Sequence, residues 1–243
     1  QVVFLMMPIV AFLMVARVPI VRLIFGTDIF TWEATVETSL VVSAFAIGIF
    51  SQAANSILAR SFYALHNTRT PVIISISTLT LNIVLDYFLV VVYKLPVWSL
   101  AFAFSLSSIL QSILLFVLIT KRIHNGAKTA LYLPILKSII GGIVSGSVMY
   151  FILKFFDKSV WIKKLSFVSN LSLPFEKFVL DTRYTLNLLI LTAIVGIIGM
   201  IVYILVLRIL KSKELDTFIN LFKRMLVGQK FTTVADSVET IDN

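Results

Sequence analysis

The sequence predicts an all-α integral membrane protein with about six transmembrane helices, and two observations support this fold class. Of the 243 residues, 59% are hydrophobic and only 14% are charged, and the mean hydropathy is +1.01. Ordinary soluble domains are about 45–50% apolar and about 25% charged. The apolar residues also gather into six runs, each near the roughly 20 residues that a membrane-spanning helix requires.

The predicted spans cover most of the chain. The first contains Pro8 and Pro19, and because proline inside a helix removes a backbone hydrogen bond, we expect a kink or a break near Arg17–Pro19. The third is expected to begin with Thr70 as the capping residue and Pro71 in the first helical position. The six spans are predicted at about residues 2–25, 38–65, 71–93, 97–120, 134–156 and 184–207.

The spans divide into larger units. Residues 1–122 hold four spans, and residues 132–210 hold two more spans with a long connection between them. Residues 211–230 carry an apolar stripe beside basic side chains. This pattern predicts an amphipathic helix on the membrane surface, with a simple extension of the sixth span as the alternative. Residues 231–243 are polar and acidic and are predicted to be a disordered tail.

The basic residues are interpreted as flanks of the spans. The net charge is +9, and in a membrane protein such residues set orientation and meet anionic lipid, so membrane lipids and not nucleic acid are the predicted partners. They favour the side of the 66–70 turn, the 121–133 loop and the C-terminus, which we therefore expect to be cytoplasmic. The chain has no cysteine and its two histidines are isolated, so we expect a transporter and not an enzyme.

Polar residues of the third span share one face. Ser75, Thr78, Asn82 and Asp86 follow one another at spacings of three and four. A carboxylate inside a span costs about 2.5–3.5 kcal/mol on insertion scales, so its presence indicates contact with other helices, water or an ion. The oxygens of Asn82 and Asp86 point to one side, as in a site for a hard cation such as Na⁺. A protonation switch at Asp86 and a hydrogen bond to a neighbouring helix are the alternatives.

Polar side chains also interrupt the second span. Gln52, Asn55 and Ser56 are candidates for lining a polar cavity, and hydrogen bonding between helices is the alternative. Arg60 and Arg69 are candidates for binding a lipid phosphate. Arginines near a membrane edge also commonly extend to the interface without binding a specific ligand, and this is the alternative for both.

The stretch between the second and third spans holds an ordered motif. Residues 60–71 read RSFYALHNTRTP and resemble the signature R-x-F-Y-A-x-x-[DN]-T-[KR]-T-P of the MurJ/MviN family, which are bacterial lipid II flippases of the multidrug/oligosaccharidyl-lipid/polysaccharide exporter superfamily. Leu81–Asp86 and Ser99–Ser105 resemble family segments that follow the signature, and the likeness covers residues 1–122. The matching signature residues are Arg60, Phe62, Tyr63, Thr68, Arg69, Thr70 and Pro71.

The resemblance implies a C-terminal fragment with a defined site. The family has fourteen helices in two six-helix lobes and an extra pair, so this chain would hold the last four helices of the second lobe and the pair. Its partner would be the missing N-terminal lobe, and the extra pair is associated with a hydrophobic groove for a lipid tail. Some members are thought to bind Na⁺ through an Asn/Asp pair, here Asn82 and Asp86, and a group on the next helix, for which Ser105 is the candidate.

The function that the resemblance implies is export of a lipid-linked peptidoglycan precursor, lipid II, across the bacterial inner membrane for cell-wall synthesis and cell shape. The expected mechanism is alternating access coupled to Na⁺ or H⁺, with no other cofactor. The alternatives are a flippase for another polyprenyl-linked oligosaccharide, a related exporter, and a membrane module that serves as a scaffold without transport.

Overall fold

The computed structural model describes residues 1–26, 30–122, 125–156, 185–212, 214, 215 and 218, with the backbone alone for residue 122 and residues 125–132. All secondary structure within these ranges is helical. The helices are α1 (Val2–Val15), α2 (Arg17–Phe25), α3 (Trp32–Ala64), α4 (Arg69–Asp86) with a π-helical extension (Tyr87–Val92), α5 (Trp98–Arg122), α6 (Asn125–Phe156) and α7 (Thr185–Ile209).

Five of these helices are long and apolar enough to cross a membrane, and the bent pair of α1 and α2 makes a sixth span when it is counted as one. The predicted all-α membrane fold is therefore confirmed. The helices also fall in the order and close to the positions that the apolar runs predict.

The first span is broken, as predicted. The axes of α1 and α2 differ by 73°, and Ala16 is fully buried between them. Pro19 follows the break. In a continuous helix its nitrogen has no proton to donate to the carbonyl of Val15, and its ring collides with that carbonyl. Pro8 lies inside α1 without a comparable break.

α3 is longer than the span predicted for it. It begins at Trp32 because Thr31 caps it: the Thr31 Oγ1 atom accepts a hydrogen bond from the backbone N–H of Ala34 at 3.3 Å. The helix has 33 residues and is therefore about 50 Å long, whereas the hydrocarbon core of a bilayer is about 30 Å thick. α3 must tilt or extend beyond that core.

The turn between α3 and α4 corrects one prediction. His66 adopts a left-handed conformation with φ 54°, and the N–H of Asn67 donates to the carbonyl of Phe62 at 3.0 Å, which closes a Schellman motif. The Asn67 Oδ1 atom then accepts from the backbone N–H of Thr70 at 3.2 Å. The helix starts at Arg69, so Asn67, and not Thr70, supplies the capping oxygen.

The helices pack in two groups that meet at α1 and α2, since α2 contacts both α3 and α7. α3, α4 and α5 form one group, around a buried cluster of Phe62, Ile74, Leu115 and Ile119. α1, α6 and α7 form the other, around two buried clusters of which Tyr203 and Met149 are the largest side chains. α1 also packs against α3. The additional helix pair is therefore attached to the lobe mainly through α1.

Small residues bring the second group together closely. Gly142 of α6 faces Met7 of α1, and a Cβ atom at that glycine would lie 3.3 Å from the Met7 side chain. Gly199 of α7 is tighter still, because a Cβ atom there would overlap the Met149 side chain. The Ser145 hydroxyl donates to the Gly199 carbonyl at 2.7 Å. The glycines serve helix packing, as small residues commonly do in membranes.

α7 ends in a turn that carries a hydrogen-bonded acid. Lys211 is left-handed with φ 49°, and the N–H of Ser212 donates to the carbonyl of Leu207 at 3.1 Å. The Ser212 hydroxyl donates to Glu214 Oε2 at 2.6 Å. Burial alone would raise the pKa of the Glu214 carboxyl, but this hydrogen bond, a backbone N–H and the positive charges of the Gln1 amino group and Lys137 outweigh it, so the pKa is lowered.

The predicted amphipathic segment, residues 211–230, is described only at its beginning. Leu215 is buried in a cluster that includes Phe4 of α1, and the ring centroid of Phe218 lies 5.7 Å from that of Phe4. The first part of the apolar stripe therefore packs on the protein. The rest of the segment, the tail after it and the long connection between α6 and α7 lie outside the described residues.

Candidate functional site

The polar face of α4 is directed towards α5. The Ser75 hydroxyl accepts a hydrogen bond from Gln111 Nε2 of α5 at 2.9 Å, which fixes the side of α4 that meets this neighbour. Asn82 and Asp86 lie seven and eleven residues further along, within about 20° of Ser75 around the helix axis. Thr78 is buried next to them, and its hydroxyl donates to the Ile74 carbonyl of its own helix.

Two atoms on this face are buried without a hydrogen-bond partner among the described residues: Nδ2 of Asn82 and Oδ1 of Asp86. A buried donor or acceptor without a partner costs about 1–3 kcal/mol, so a pair of them marks a position suited to a ligand. Rotation of the Asn82 amide by 180° exchanges its nitrogen and oxygen, so the same position can offer an oxygen. An amide oxygen and a carboxylate oxygen are ligands that a hard cation prefers.

The structure directs the Ser105 hydroxyl away from this pair. It donates to the carbonyl of Ala44 on α3 at 2.6 Å, and a Cβ atom on Gly48 of α3 would lie 2.6 Å from the same hydroxyl. Ser105 and Gln111 are six residues apart and therefore about 120° apart around α5. Ser105 thus faces α3, while Gln111 faces α4.

Ser107 is the serine on the α4 side of α5. It lies one turn before Gln111, about 40° away around the helix, and its buried hydroxyl has no partner within the described part of the chain. α4 and α5 run antiparallel across a short connection, so the Ser75–Gln111 bond sets Ser107 at the level of residue 79 on α4. Side chains lean towards the start of their own helix, which inclines Ser107 and Asn82 towards each other.

The sequence alone does not distinguish Ser107 from the other serines of α5. The family resemblance indicates Ser105. The spacing of the serines along α5 does not by itself show which neighbouring helix each serine faces. Ser107 lies four residues before Gln111, so the two side chains share one side of α5. This spacing identifies the neighbouring helix only when the partner of Gln111 is known.

The polar residues of α3 are divided between two roles. Gln52 Nε2 donates to the Ser108 hydroxyl, and Asn55 Nδ2 donates to the Ser108 carbonyl, both at 3.2 Å. These bonds join α3 to α5, as the helix-packing alternative predicts. Ser56 is exposed, and Gln52 is exposed apart from this bond, so this face of α3 also presents polar groups outward. The Oδ1 atom of Asn55 is buried and lacks a partner among the residues described.

The residues of the sequence signature mostly build the turn. Phe62 and Pro71 are fully buried, with Phe62 in the cluster shared by α3, α4 and α5. Tyr63, Thr68 and Arg69 are exposed. Arg60 is also exposed, at the end of α3. Both arginines are therefore accessible at the same end of the bundle, where a lipid phosphate or water can reach them.

Two apolar hollows flank α1. The first, of about 470 Å³, lies between α1 and α6. Its walls include Met7, Met14, Ile143, Tyr150 and Phe151. The second, of about 420 Å³, lies between α1, α2 and α7 and is lined by Phe12, Leu23, Leu189 and neighbouring residues. The helix pair and α1 thus line two shallow, open hollows suited to hydrocarbon.

Comparisons with known proteins give one consistent result. Residues 1–173 match the profile of the family described as "Lipid II flippase MurJ". The chain is 35% identical over 82 residues to "Probable lipid II flippase MurJ" of Synechocystis sp., covering 34% of this chain and 15% of that protein. It is 27% identical over 147 residues to a protein of the same printed name from Rhizobium meliloti, covering 60% of this chain and 27% of that protein.

A solved structure, "Lipid II flippase MurJ, inward closed conformation", has the same fold, with a TM-score of 0.58 and 22% sequence identity over 86% of this chain and 37% of that one. The chain therefore spans between 15% and 27% of the length of the curated relatives that it matches.

Proposed function

The chain belongs to the MurJ family of lipid II flippases, since the family profile covers 173 of its 243 residues, and on this premise we propose that it forms the C-terminal part of a flippase for a lipid-linked peptidoglycan precursor. The work is transport, in which a lipid headgroup crosses the membrane and no bond is made or broken. The N-terminal lobe of the same protein is the partner that completes the transport path.

The protein lies in the bacterial inner membrane with its C-terminus in the cytoplasm. The excess of lysine and arginine on the side of the α3–α4 turn and of the C-terminus supports this orientation. The α2–α3 connection is then extracytoplasmic, and the exposed Arg60 and Arg69 face the leaflet from which the substrate enters. A lipid phosphate is a suitable ligand for either guanidinium group.

Transport is coupled to a monovalent cation held between α4 and α5. The observation that carries this proposal is the buried, unpartnered Oδ1 atom of Asp86 beside the unpartnered amide of Asn82. The Ser107 hydroxyl is the unpartnered group that we place beside Asn82, whereas the Ser105 hydroxyl is already bonded to α3. Sodium is the expected ion, and a proton on Asp86 is the alternative.

Ion binding links to alternating access through α4. This helix carries both proposed ligand residues, Asn82 and Asp86, and packs mainly on α5. A π-helical extension begins directly after Asp86, and such segments occur frequently at functional sites. A cation bound at Asp86 neutralises the charge of the face that packs on α5 and thereby favours that packing.

The hollow between α1 and α6 receives part of the long lipid tail. Its wall is almost entirely apolar, and it opens beside a helix that also contacts the lobe. A tail held there keeps the lipid attached to the protein while the headgroup crosses.

The test is a flipping assay with the full-length protein that contains this chain, reconstituted in vesicles with lipid II. Lipid II placed in one leaflet should become accessible to a membrane-impermeant enzyme at the other surface, faster than in empty vesicles and faster with Na⁺ than with K⁺. A rate equal to that of empty vesicles would reject the proposed transport. Equal movement of an unrelated polyprenyl-linked glycan would assign the protein to the broader flippase class.

A further inference from the structure

Arg17 carries a charge at the break in the first span. It is the first residue of α2, directly after the 73° change of direction that follows α1. Its Nη1 atom donates a hydrogen bond to the Ser43 hydroxyl of α3 at 3.2 Å. That hydroxyl donates its own proton to the carbonyl of Leu40 at 2.9 Å, so it meets Arg17 only as a neutral acceptor.

Two separate lengths place this guanidinium group inside the hydrocarbon region. Along α3, residues 38–59 carry no charge, and Ser43 lies six residues, or about 9 Å, inside the boundary at Glu37. α1 begins where Phe4 packs against the last turns of α7, and its 14 residues extend for about 21 Å. A hydrocarbon core of about 30 Å then leaves about 9 Å beyond the end of α1. Both lengths put Arg17 well below the membrane surface, on the side of the α2–α3 connection.

The described residues do not compensate the charge of Arg17. Glu37 is separated from Ser43 by about 9 Å along α3 and by about 120° around it. Asp86 lies on the face of α4 that is directed towards α5, whereas Arg17 lies against α3. A guanidinium group has five N–H donors in a planar fork. Charged side chains within a span usually pair with one another, because a charge without a partner is costly in hydrocarbon.

A carboxylate of the protein is the anion that fits this depth. Lipid phosphates lie in the headgroup region, outside the hydrocarbon core, and so about 9 Å or more from the level of Ser43. A carboxylate on a helix can lie at any depth, and its two oxygens match two parallel N–H bonds of arginine. The chain spans between 15% and 27% of the length of the curated relatives that it matches, which leaves most of a protein of that length to supply the acid.

We propose that Arg17 is a docking residue for the preceding part of the protein, and that its guanidinium group forms an intramembrane ion pair with an aspartate or glutamate on a helix that precedes residue 1. The inference rests on the proposed function in one respect, namely that this chain is the C-terminal part of a longer flippase. The pair holds the preceding helix against α3 at the break between α1 and α2. It also anchors the start of α2 to two neighbours, at the point where the helix of the first span is interrupted.

Carbodiimide crosslinking of the full-length protein in lipid vesicles tests the pair directly. Arg17→Lys replaces the guanidinium group with a primary amine. Dicyclohexylcarbodiimide enters the hydrocarbon region and activates a carboxyl group, the amine attacks the activated carbonyl carbon, and an amide bond forms while the carbodiimide takes up the elements of water and leaves as the urea. Mass spectrometry of the digested protein should identify a crosslink between α2 and an acid that precedes residue 1. The wild type should form no such link, because a guanidinium group stays protonated.

Arg22→Lys is the matched control on the same helix. The guanidinium carbon of Arg22 lies 5.0 Å from the centre of the Trp32 ring, a cation–π contact at the start of α3, where interfacial tryptophans are common. The next residue along α3 is the exposed Glu33. An amine at position 22 should therefore link to Glu33 or to no acid, and not to the preceding part of the protein.

Thermal unfolding of the full-length protein then tests the ion pair without the crosslinker. Arg17→Gln should lower the unfolding temperature, because it leaves the partner carboxylate buried and uncompensated. Replacement of the linked acid by its amide should do the same. The double variant should be less destabilised than the sum of the two single variants, because it leaves no charge behind.

Three results would overturn the proposal. They are a link from the introduced amine only to acids within residues 1–243, no link while other carboxyl groups of the protein are labelled, and additive effects in the unfolding measurements. Loss of phosphatidylglycerol binding to Arg17→Gln in native mass spectrometry, with no crosslink, would also overturn it and would assign the guanidinium group to a lipid phosphate. Flipping is measured separately on the wild type, so a crosslinked pair in a protein that moves no lipid II would keep this inference and reject the proposed transport.

Discussion

Replacement of Asp86 by asparagine tests the proposed coupling site most directly. The two side chains have nearly the same shape, so the packing of α4 on α5 should survive. The change removes the carboxylate whose Oδ1 atom is buried without a partner among the described residues. A ligand that binds only the folded protein raises the free energy of unfolding by about 2.7 kcal/mol when the ligand concentration is 100 times the dissociation constant. The variant should lose a stabilisation of that order in sodium, and transport with it.

The assay is thermal unfolding of the full-length protein in detergent, with NaCl exchanged for KCl at constant ionic strength. The wild type should unfold at a higher temperature in Na⁺, and Asp86→Asn should unfold at the same temperature in both salts. Glu37→Gln is the matched control, because it makes the same chemical change at an exposed position on α3. A sodium shift retained in Asp86→Asn together with normal flipping would refute the site. A wild type whose stability follows pH but not Na⁺ would indicate a proton.

The same assay distinguishes the two serines of α5. Ser107→Ala should weaken the sodium response, because it removes the hydroxyl on the α4 side. Ser105→Ala should lower stability in both salts by about 0.6 kcal/mol, the average for such bonds between helices in membranes, since it loses the bond to Ala44. The reverse pattern would restore Ser105 as the ligand and show that α5 is rotated in the complete protein.

Three further predictions concern the packing and the turns. Gly199→Leu should lower the unfolding temperature in detergent, with a loss of about 1–3 kcal/mol from overpacking against Met149. Gly146→Ala should be tolerated, because its added Cβ would lie at an ordinary 3.4 Å from the Cβ of Ala11. Equal effects of the two changes would contradict this geometry. Asn67→Ala should cost about 1 kcal/mol by removing the cap of α4, and no change in denaturant-monitored stability would show that the cap is dispensable. The lowered pKa of Glu214 contributes stability above its ordinary value of 4.5 that is lost as the pH falls through the lower folded-state value. The protection factors for hydrogen exchange at the end of α7, which correct for the intrinsic pH dependence of exchange, should therefore fall in acid, and Glu214→Gln should remove that fall.

The membrane fold was predictable because few backbone structures can span a bilayer. Apolar runs of about 20 residues must form helices whose backbone groups bond internally, so the number and order of the spans follow from the sequence. The break before Pro19 was predictable for a similarly local reason, since proline cannot donate to the carbonyl four residues earlier. These features depend on neighbours in the chain and not on tertiary contacts.

The candidate site was only partly predictable, because it depends on how one helix is rotated against two others. The spacing of Asn82 and Asp86 places both on one face whatever the packing, and the structure keeps them together. The direction of the Ser105 hydroxyl depends instead on which side of α5 meets α3, and its bond to the Ala44 carbonyl shows that side. The start of α4 was also not predictable from the sequence, because Asn67 and Thr70 both offer a side-chain oxygen that can cap a helix. The left-handed conformation of His66 places the Asn67 oxygen at the backbone N–H of Thr70.

The position of α1 has a mechanical consequence. Its N-terminal end is clamped to the helix pair, because the Tyr203 hydroxyl donates to the Phe4 carbonyl at 2.7 Å inside a buried cluster, and the same helix lies against α3 of the lobe. A helix that is packed against two groups of helices transmits a movement of one group to the other. If α3 moves in the proposed transport cycle, α1 should therefore carry α6 and α7 with it. The hollows on either side of α1 should then change volume together with the proposed ion site.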